Sequence, residues 1–320
     1  VADGDSTPIG GVFNFSFDPN AIATINDSGE VLFQGAVIPA PPVREKFGLF
    51  LLTQTGIQKI MIEGDKMPDG RVAAPLWPGD GNLNNAGQVA FRIRFTNKAG
   101  NGGVYRYTNG VIEKIVAVGD PSPIGGTFSS LSDQKFFPVP DLPPAIGGNG
   151  SVVFKARVSG GTAASGIFMG VPGAILKLVG PGDKLPDGET VSSVHTFAIN
   201  EKGQVAFFAY GPQQVTIGVY LATPVPPTIN AARLKTKRGT LQLVVDGGGF
   251  ITNNSVIEIN GQAVSRISYP AGFQENGGTS TRVVSQDSSL GELIPAGQTV
   301  QITVFNPMTS QRSAAFTLTR

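Results

Sequence analysis

Apolar and polar residues alternate along most of this chain, in runs of about four to eight residues separated by Gly, Asn, Asp and Pro. Ile57-Gln58-Lys59-Ile60-Met61-Ile62, Ile112-Glu113-Lys114-Ile115-Val116 and Ile175-Leu176-Lys177-Leu178-Val179 are three such runs. A period of two with turn formers at both ends predicts short β-strands throughout.

The runs recur in a fixed order. An Asn-x-x-Gly turn precedes an apolar strand ending in Phe: Asn26-Asp27-Ser28-Gly29-Glu30-Val31-Leu32-Phe33, Asn84-Asn85-Ala86-Gly87-Gln88-Val89-Ala90-Phe91 and Asn200-Glu201-Lys202-Gly203-Gln204-Val205-Ala206-Phe207. Gly147-Gly148-Asn149-Gly150-Ser151-Val152-Val153-Phe154 is a copy without the leading Asn. A Gly-apolar-aromatic strand follows each (Gly48-Leu49-Phe50, Gly103-Val104-Tyr105, Gly166-Ile167-Phe168, Gly218-Val219-Tyr220). In three copies an alternating strand then closes on Gly-Asp. The period of about 50 to 65 residues suits one four-stranded antiparallel propeller blade.

The fourth copy stops after Tyr220-Leu221-Ala222, without its last strand. The chain opens on Val1-Ala2-Asp3-Gly4-Asp5, which matches Val116-Ala117-Val118-Gly119-Asp120, the end of such a strand. A closed ring in which residues 1–4 complete the fourth blade accounts for both ends; a piece cut from a longer array is the alternative. The expected architecture is all-β: a small, four-bladed β-propeller over residues 1–223, a stiff proline linker at 224–227, and a β-sandwich over 228–320. The linker is expected to keep the two cores apart.

Composition narrows the class. Charged residues are only 15% of the chain while Gly 43 and Pro 24 are high, the balance of a turn-rich β protein with a normal apolar share. A net charge of +1 gives no pull toward nucleic acid, and no apolar run is long enough for a membrane helix. The lack of Cys excludes disulfides and thiolate sites. The start at Val1, without Met or a signal pattern, is read as that of a processed or trimmed product.

Residues 1–222 resemble the bacterial exported tandem-repeat proteins whose signature is Asn-x-x-Gly-x-x-Ala-Phe. The copies at Asn84 and Asn200 match it fully, the first has Leu32 for Ala, and the third lacks both Asn and Ala. The remainder is similar to immunoglobulin-like domains of the TIG (IPT) type, through Pro227-Thr228-Ile229, Asp246-Gly247-Gly248-Gly249-Phe250, Ser255-Val256-Ile257-Glu258-Ile259-Asn260-Gly261, Leu293-Ile294-Pro295-Ala296 and Thr303-Val304-Phe305-Asn306-Pro307. These resemblances imply a secreted or cell-surface module that displays or binds a glycan or a surface protein, and they transfer no catalytic residue.

Candidate chemistry is sparse. Asp65 with Asp69, and Asp183 with Asp187, place two carboxylates four apart in Gly-containing loops, a start toward a structural calcium site without the full ligand series; the simpler role is turn capping. The single histidine, His195, has no second His or Cys for zinc and no nucleophile elbow beside it. The segments ahead of the Asn-x-x-Gly turns diverge most between copies, where a repeated frame has room for ligand contacts. They offer Trp77 for stacking and Asp80, Asp141 and His195 as polar contacts, or they merely fill the mouth of a channel. Arg233, Lys235, Lys237 and Arg238 form a basic cluster read as a solvated strand face. No catalytic residue or cofactor is expected; a propeller enzyme, a glycan hydrolase or lyase with carboxylates at the channel mouth, is the alternative to a binding module.

Overall fold

The computed structural model describes residues 1–15, 23–39, 44–74, 81–96, 102–131 and 142–320, which form six antiparallel sheets, one short α-helix and two 3-10 turns. The first sheet holds β1 (Val12–Asn14), β2 (Thr24–Ile25), β3 (Val31–Ile38), β4 (Lys46–Thr53) and β5 (Gly56–Ile62), and the second β6 (Gly81–Leu83), β7 (Val89–Arg94), β8 (Gly102–Thr108) and β9 (Val111–Ala117). The third comprises β10 (Thr127–Ser130), β11 (Ala145–Ile146), β12 (Val152–Ser159), β13 (Ser165–Val171) and β14 (Ala174–Val179). The fourth has only β15 (Ser193–Ile199), β16 (Val205–Tyr210) and β17 (Thr216–Ala222). Each sheet is one sequence repeat.

The turn chemistry explains the strand order. Asn26 Oδ1 accepts the backbone N–H groups of Ser28 (3.1 Å) and Glu30 (2.9 Å), Asn84 those of Ala86 and Gln88, and Asn200 those of Lys202 and Gln204. These side chains hold a tight hairpin whose glycine, φ +71 to +78 in the four copies, occupies backbone that residues with a Cβ resist. Asn109-Gly110, both at positive φ, closes the β8–β9 hairpin as the type I′ preference predicts.

Packing between repeats follows one rule. The Phe at the third position of the strand after each turn stacks on the aromatic of the next strand: Phe33 on Phe50, Phe91 on Tyr105, Phe154 on Phe168 and Phe207 on Tyr220, centroids 5.6 to 5.9 Å apart. From the second repeat on, this aromatic face packs against the opposite face of the preceding sheet. Phe91 and Tyr105 meet Leu32, Leu49 and Leu51; Phe154 and Phe168 meet Ala90, Val104 and Val116; Phe207 and Tyr220 meet Val153, Ile167 and Met169. The turns are also chained, because Asn26 Nδ2 donates to the carbonyl of Asn84 (3.1 Å) and Asn84 Nδ2 to that of Gly147 (2.8 Å). At Gly147, where the third copy lacks the Asn, a Cβ would stand 2.9 Å from the Ile199 side chain of the next repeat.

Two expectations are corrected. Residues 1–4 do not complete the fourth sheet. Gly4 N–H bonds Phe13 of its own repeat (2.9 Å), as Gly64, Gly119 and Gly182 bond Ala73, Phe128 and Val191, and β17 has a ladder only with β16.

The second correction concerns the cores. β18 (Thr228–Lys237), β19 (Thr240–Ile251), β22 (Ile267–Ser268), β23 (Gln274–Glu275) and β24 (Thr279–Ser285) make one C-terminal sheet; β20 (Val256–Ile259), β21 (Gln262–Ala263), β25 (Thr299–Asn306), β26 (Gln311–Arg312) and β27 (Phe316–Thr319) make the other, with helix α1 (Leu290–Leu293) between β24 and β25. Leu243, Val245 and Val283 face Ile257, Ile302 and Val304 in a shared interior. The proline segment does not isolate this core, however, because Ile251 and Met308 are buried in the apolar cluster of the third and fourth repeats.

Candidate functional site

A concavity of about 540 Å³ lies where the second and third repeats meet the C-terminal region. Four segments wall it: β9 with its Gly-Asp turn, the β13–β14 hairpin, residues 252–253, and residues 274–278. A glycine pair seats the last of these. Gly277 N–H donates to the Pro123 carbonyl, and the Gly277 carbonyl accepts from Lys177 N–H of β14, both at 2.8 Å. Gly278 has φ +98, and a Cβ there would come within 2.3 Å of the Ile175 carbonyl. Asn276 Nδ2 adds a bond to Thr162 Oγ1 (3.0 Å). On the other side of the third repeat, Asn149 Nδ2 reaches the Met308 carbonyl (2.8 Å), and Ser151 Oγ bonds the same oxygen. The walls are therefore tied by backbone contacts rather than by exposed side chains alone.

Polar groups line the cleft. The Lys114 ammonium pairs with Asp120 (2.9 Å), whose carboxylate also accepts Ala117 N–H. Glu275 Oε2 accepts from Thr279 Oγ1, and Gln274 Nε2 donates to the Tyr269 carbonyl. Thr252 and Asn253 complete this wall, while Pro121, Pro123, Ala174 and Ile175 supply apolar surface. Such a mixture offers donors and acceptors at fixed spacing, with no aromatic platform among the lining residues.

Among the sequence-based candidates, Trp77, Asp80 and Asp141 lie outside the described residues. His195 stands in β15, half-buried, its ring edge-on to Tyr210 (4.9 Å) and its Nε2 3.2 Å from Ser193 Oγ; it does not line the cleft. The repeated Gly-Asp carboxylates cap turns. Asp65, Asp120 and Asp183 each accept the backbone N–H three residues back and the Lys six residues back, Lys59, Lys114 and Lys177. Asp69 is bound by Arg71 and by the Tyr105 hydroxyl (2.9 Å), and Asp187 by the Tyr220 hydroxyl (2.6 Å).

Electrostatics follow these contacts. Burial lifts the Asp69 carboxyl, but hydrogen bonds from Arg71 and Tyr105 outweigh it and hold the group below its usual range. Burial and then Asp69 push the Tyr105 hydroxyl well up. The hydrogen bond to Asp187 pushes Tyr220 up to about 12. Among the described residues no three His, Asp or Glu side chains converge as a metal site would require. In the basic cluster, Arg233 is bound to Asp246, while Lys235, Lys237 and Arg238 are exposed.

Neither the cleft nor the Asn149 anchor was legible beforehand. Asn276-Gly277-Gly278 signals a turn, but nothing local says which surface that turn meets.

A family model described as a family of unknown function (DUF7453) matches residues 1–250, across all four repeats and into β19. No curated protein matches the chain. Among solved structures, the crystal structure of polysaccharide lyase Uly1 aligns with 83% of this chain at 12% identity and a TM-score of 0.24. The chain spans 57% of that lyase's length. At that score the likeness carries no argument.

Proposed function

The chain belongs to the DUF7453 family, and from that premise, which brings no chemistry with it, we propose a non-catalytic binding module that acts outside the cell or on its surface. Residues 1–223 are read as propeller-type blades in an unclosed series, and residues 228–320 as an immunoglobulin-like sandwich of the TIG type. The face-to-face stacking of equivalent sheets supports the first reading, and two sheets around one interior support the second. The export assignment rests on the sequence resemblance alone.

One observation carries the binding role: a cleft of about 540 Å³ lined by amide, hydroxyl and carboxylate side chains on backbone-tied walls. The ligand that suits it is a hydroxyl-rich chain such as a glycan, with a polar protein loop as the other occupant of the same class of site. The turn carboxylates available for acid–base work are already bound by Lys, Arg and Tyr of the protein itself. Calcium, if held at Asp65 and Asp69 or at Asp183 and Asp187, would have to displace those donors.

A glycan array run beside a depolymerisation assay on the same polysaccharides tests this. The expected result is retention without chain cleavage, weakened by the pair of changes Gln274→Ala and Glu275→Ala. Turnover of any polysaccharide, or retention that ignores both changes, would remove the reading.

A further inference from the structure

The fourth repeat lacks the strand that borders the third strand in every other repeat. β4 pairs with β5, β8 with β9 and β13 with β14, all antiparallel and all with a bulge at the same step, after Leu49, Val104 and Ile167. In each, the aromatic after the bulge faces a lysine: Phe50 opposite Lys59, Tyr105 opposite Lys114, Phe168 opposite Lys177. β17 has the sequence of a strand built for that interior position, Thr-Ile-Gly-Val-Tyr-Leu-Ala, yet it ends its sheet. It carries no charge and no proline, the usual guards of a sheet edge. The three outer strands that do form edges each carry a lysine.

Burial at equivalent positions shows that a face of the fourth sheet is open as well, the face that the next sheet covers in the earlier repeats. Leu49, Val104 and Ile167 are at most 1% exposed, whereas Val219, their counterpart, is 61% exposed. Leu51 and Met169 are at most 3% exposed, whereas Leu221 is 59% exposed. Phe208 stands where the other repeats have Gln34, Arg92 and Lys155, and it is itself 37% exposed on the same face. Asn26 and Asn84 bond both the residue four on and the next turn, whereas Asn200 is exposed and keeps only the first of these bonds, to Gln204. One apolar face and one open ladder are thus presented together, by residues whose equivalents are buried against the next element.

We propose that the edge of β17, with Val219, Leu221 and Phe208 beside it, is a docking slot for an antiparallel β-strand supplied by a partner polypeptide. The three filled slots specify the occupant: apolar–x–Lys–apolar–apolar, with the lysine opposite Tyr220. The backbone of β17 supplies the ladder bonds. Its alternate side chains supply the selection for apolar residues. This surface is separate from the cleft described above and does not depend on it.

The probe is a fluorescent peptide of residues 111–120, which holds one such strand and its Gly-Asp turn, titrated into the full chain with hydrogen exchange read in parallel. Saturable binding with new protection in β16 and β17 is expected. The double change Val219→Lys, Leu221→Lys should weaken it by about tenfold or more. Both positions are exposed, so an unchanged melting temperature will confirm that the variant folds. A peptide N-methylated at the residues that donate to β17 should not bind, since it keeps its side chains but loses the ladder. Failure of the native peptide to bind, or equal binding of the N-methylated one, would refute strand docking. A peptide-free dimer abolished by the double change would assign the slot to a second copy and overturn the proposal likewise.

Discussion

At the residue scale, one amide side chain both shapes a repeat and joins it to the next. Asn84 is 2% exposed, its oxygen closing its own turn and its nitrogen reaching Gly147 of the following repeat. Asn200 closes its turn in the same way but reaches no following repeat. The two positions separate turn closure from repeat coupling. Asn84→Ala should cost about 1–3 kcal/mol, since it leaves a buried carbonyl and two turn N–H groups unmatched, and Asn200→Ala clearly less because water replaces its bonds. Chemical denaturation of both variants measures the difference, and equal losses would mean that the bond between turns contributes nothing.

At the scale of the element, the hairpin that opens a repeat is latched to that repeat's third strand. Asp69 holds Tyr105 and Asp187 holds Tyr220, while the repeats with Phe50 and Phe168 carry Ile9 and Ile124 at the position of the aspartate. Carboxylate and hydroxyl are present together or absent together, so the latch is a matched pair. The bond to Asp187 raises Tyr220 from 10.0 to about 12, so the folded state favours the neutral hydroxyl. Its contribution is whole below pH 10.0 and is lost as pH rises toward about 12. Asp187→Asn should return the Tyr220 titration toward its ordinary value, followed by NMR of ring-labelled tyrosine. A Tyr220 that titrates identically in both proteins would show that the latch is not formed in solution.

At the scale of the molecule, the interior is continuous from the third repeat into the C-terminal sheets. Met308, 1% exposed, sits in a cluster with Val153, Ile167, Val205 and Phe207. Met308→Ala removes a buried side chain at a cost of about 2–5 kcal/mol, and the loss should reach both parts. Hydrogen exchange across residues 152–222 and 228–320 should quicken together in that variant. Quickening confined to residues 228–320 would return the two cores to independence.

The repeat order, the hairpin turns and the aromatic at each third strand follow from interactions within a few residues, and so they stood in the sequence: a period of two, an Asn that bonds the backbone two residues on, a Gly where φ is positive. The two C-terminal sheets followed likewise from alternating runs and turn formers. What lay beyond the sequence was every choice between distant surfaces. The ends of the array promised a ring, yet Gly4 bonds Phe13 inside the first hairpin and β17 pairs only with β16. The proline segment promised separate cores, yet Ile251 and Met308 enter the repeats. The cleft joins segments more than a hundred residues apart. Such docking is decided by the summed fit of whole faces, where one Gly277 carbonyl meeting Lys177 has no local signature, whereas strands and turns are decided one residue at a time.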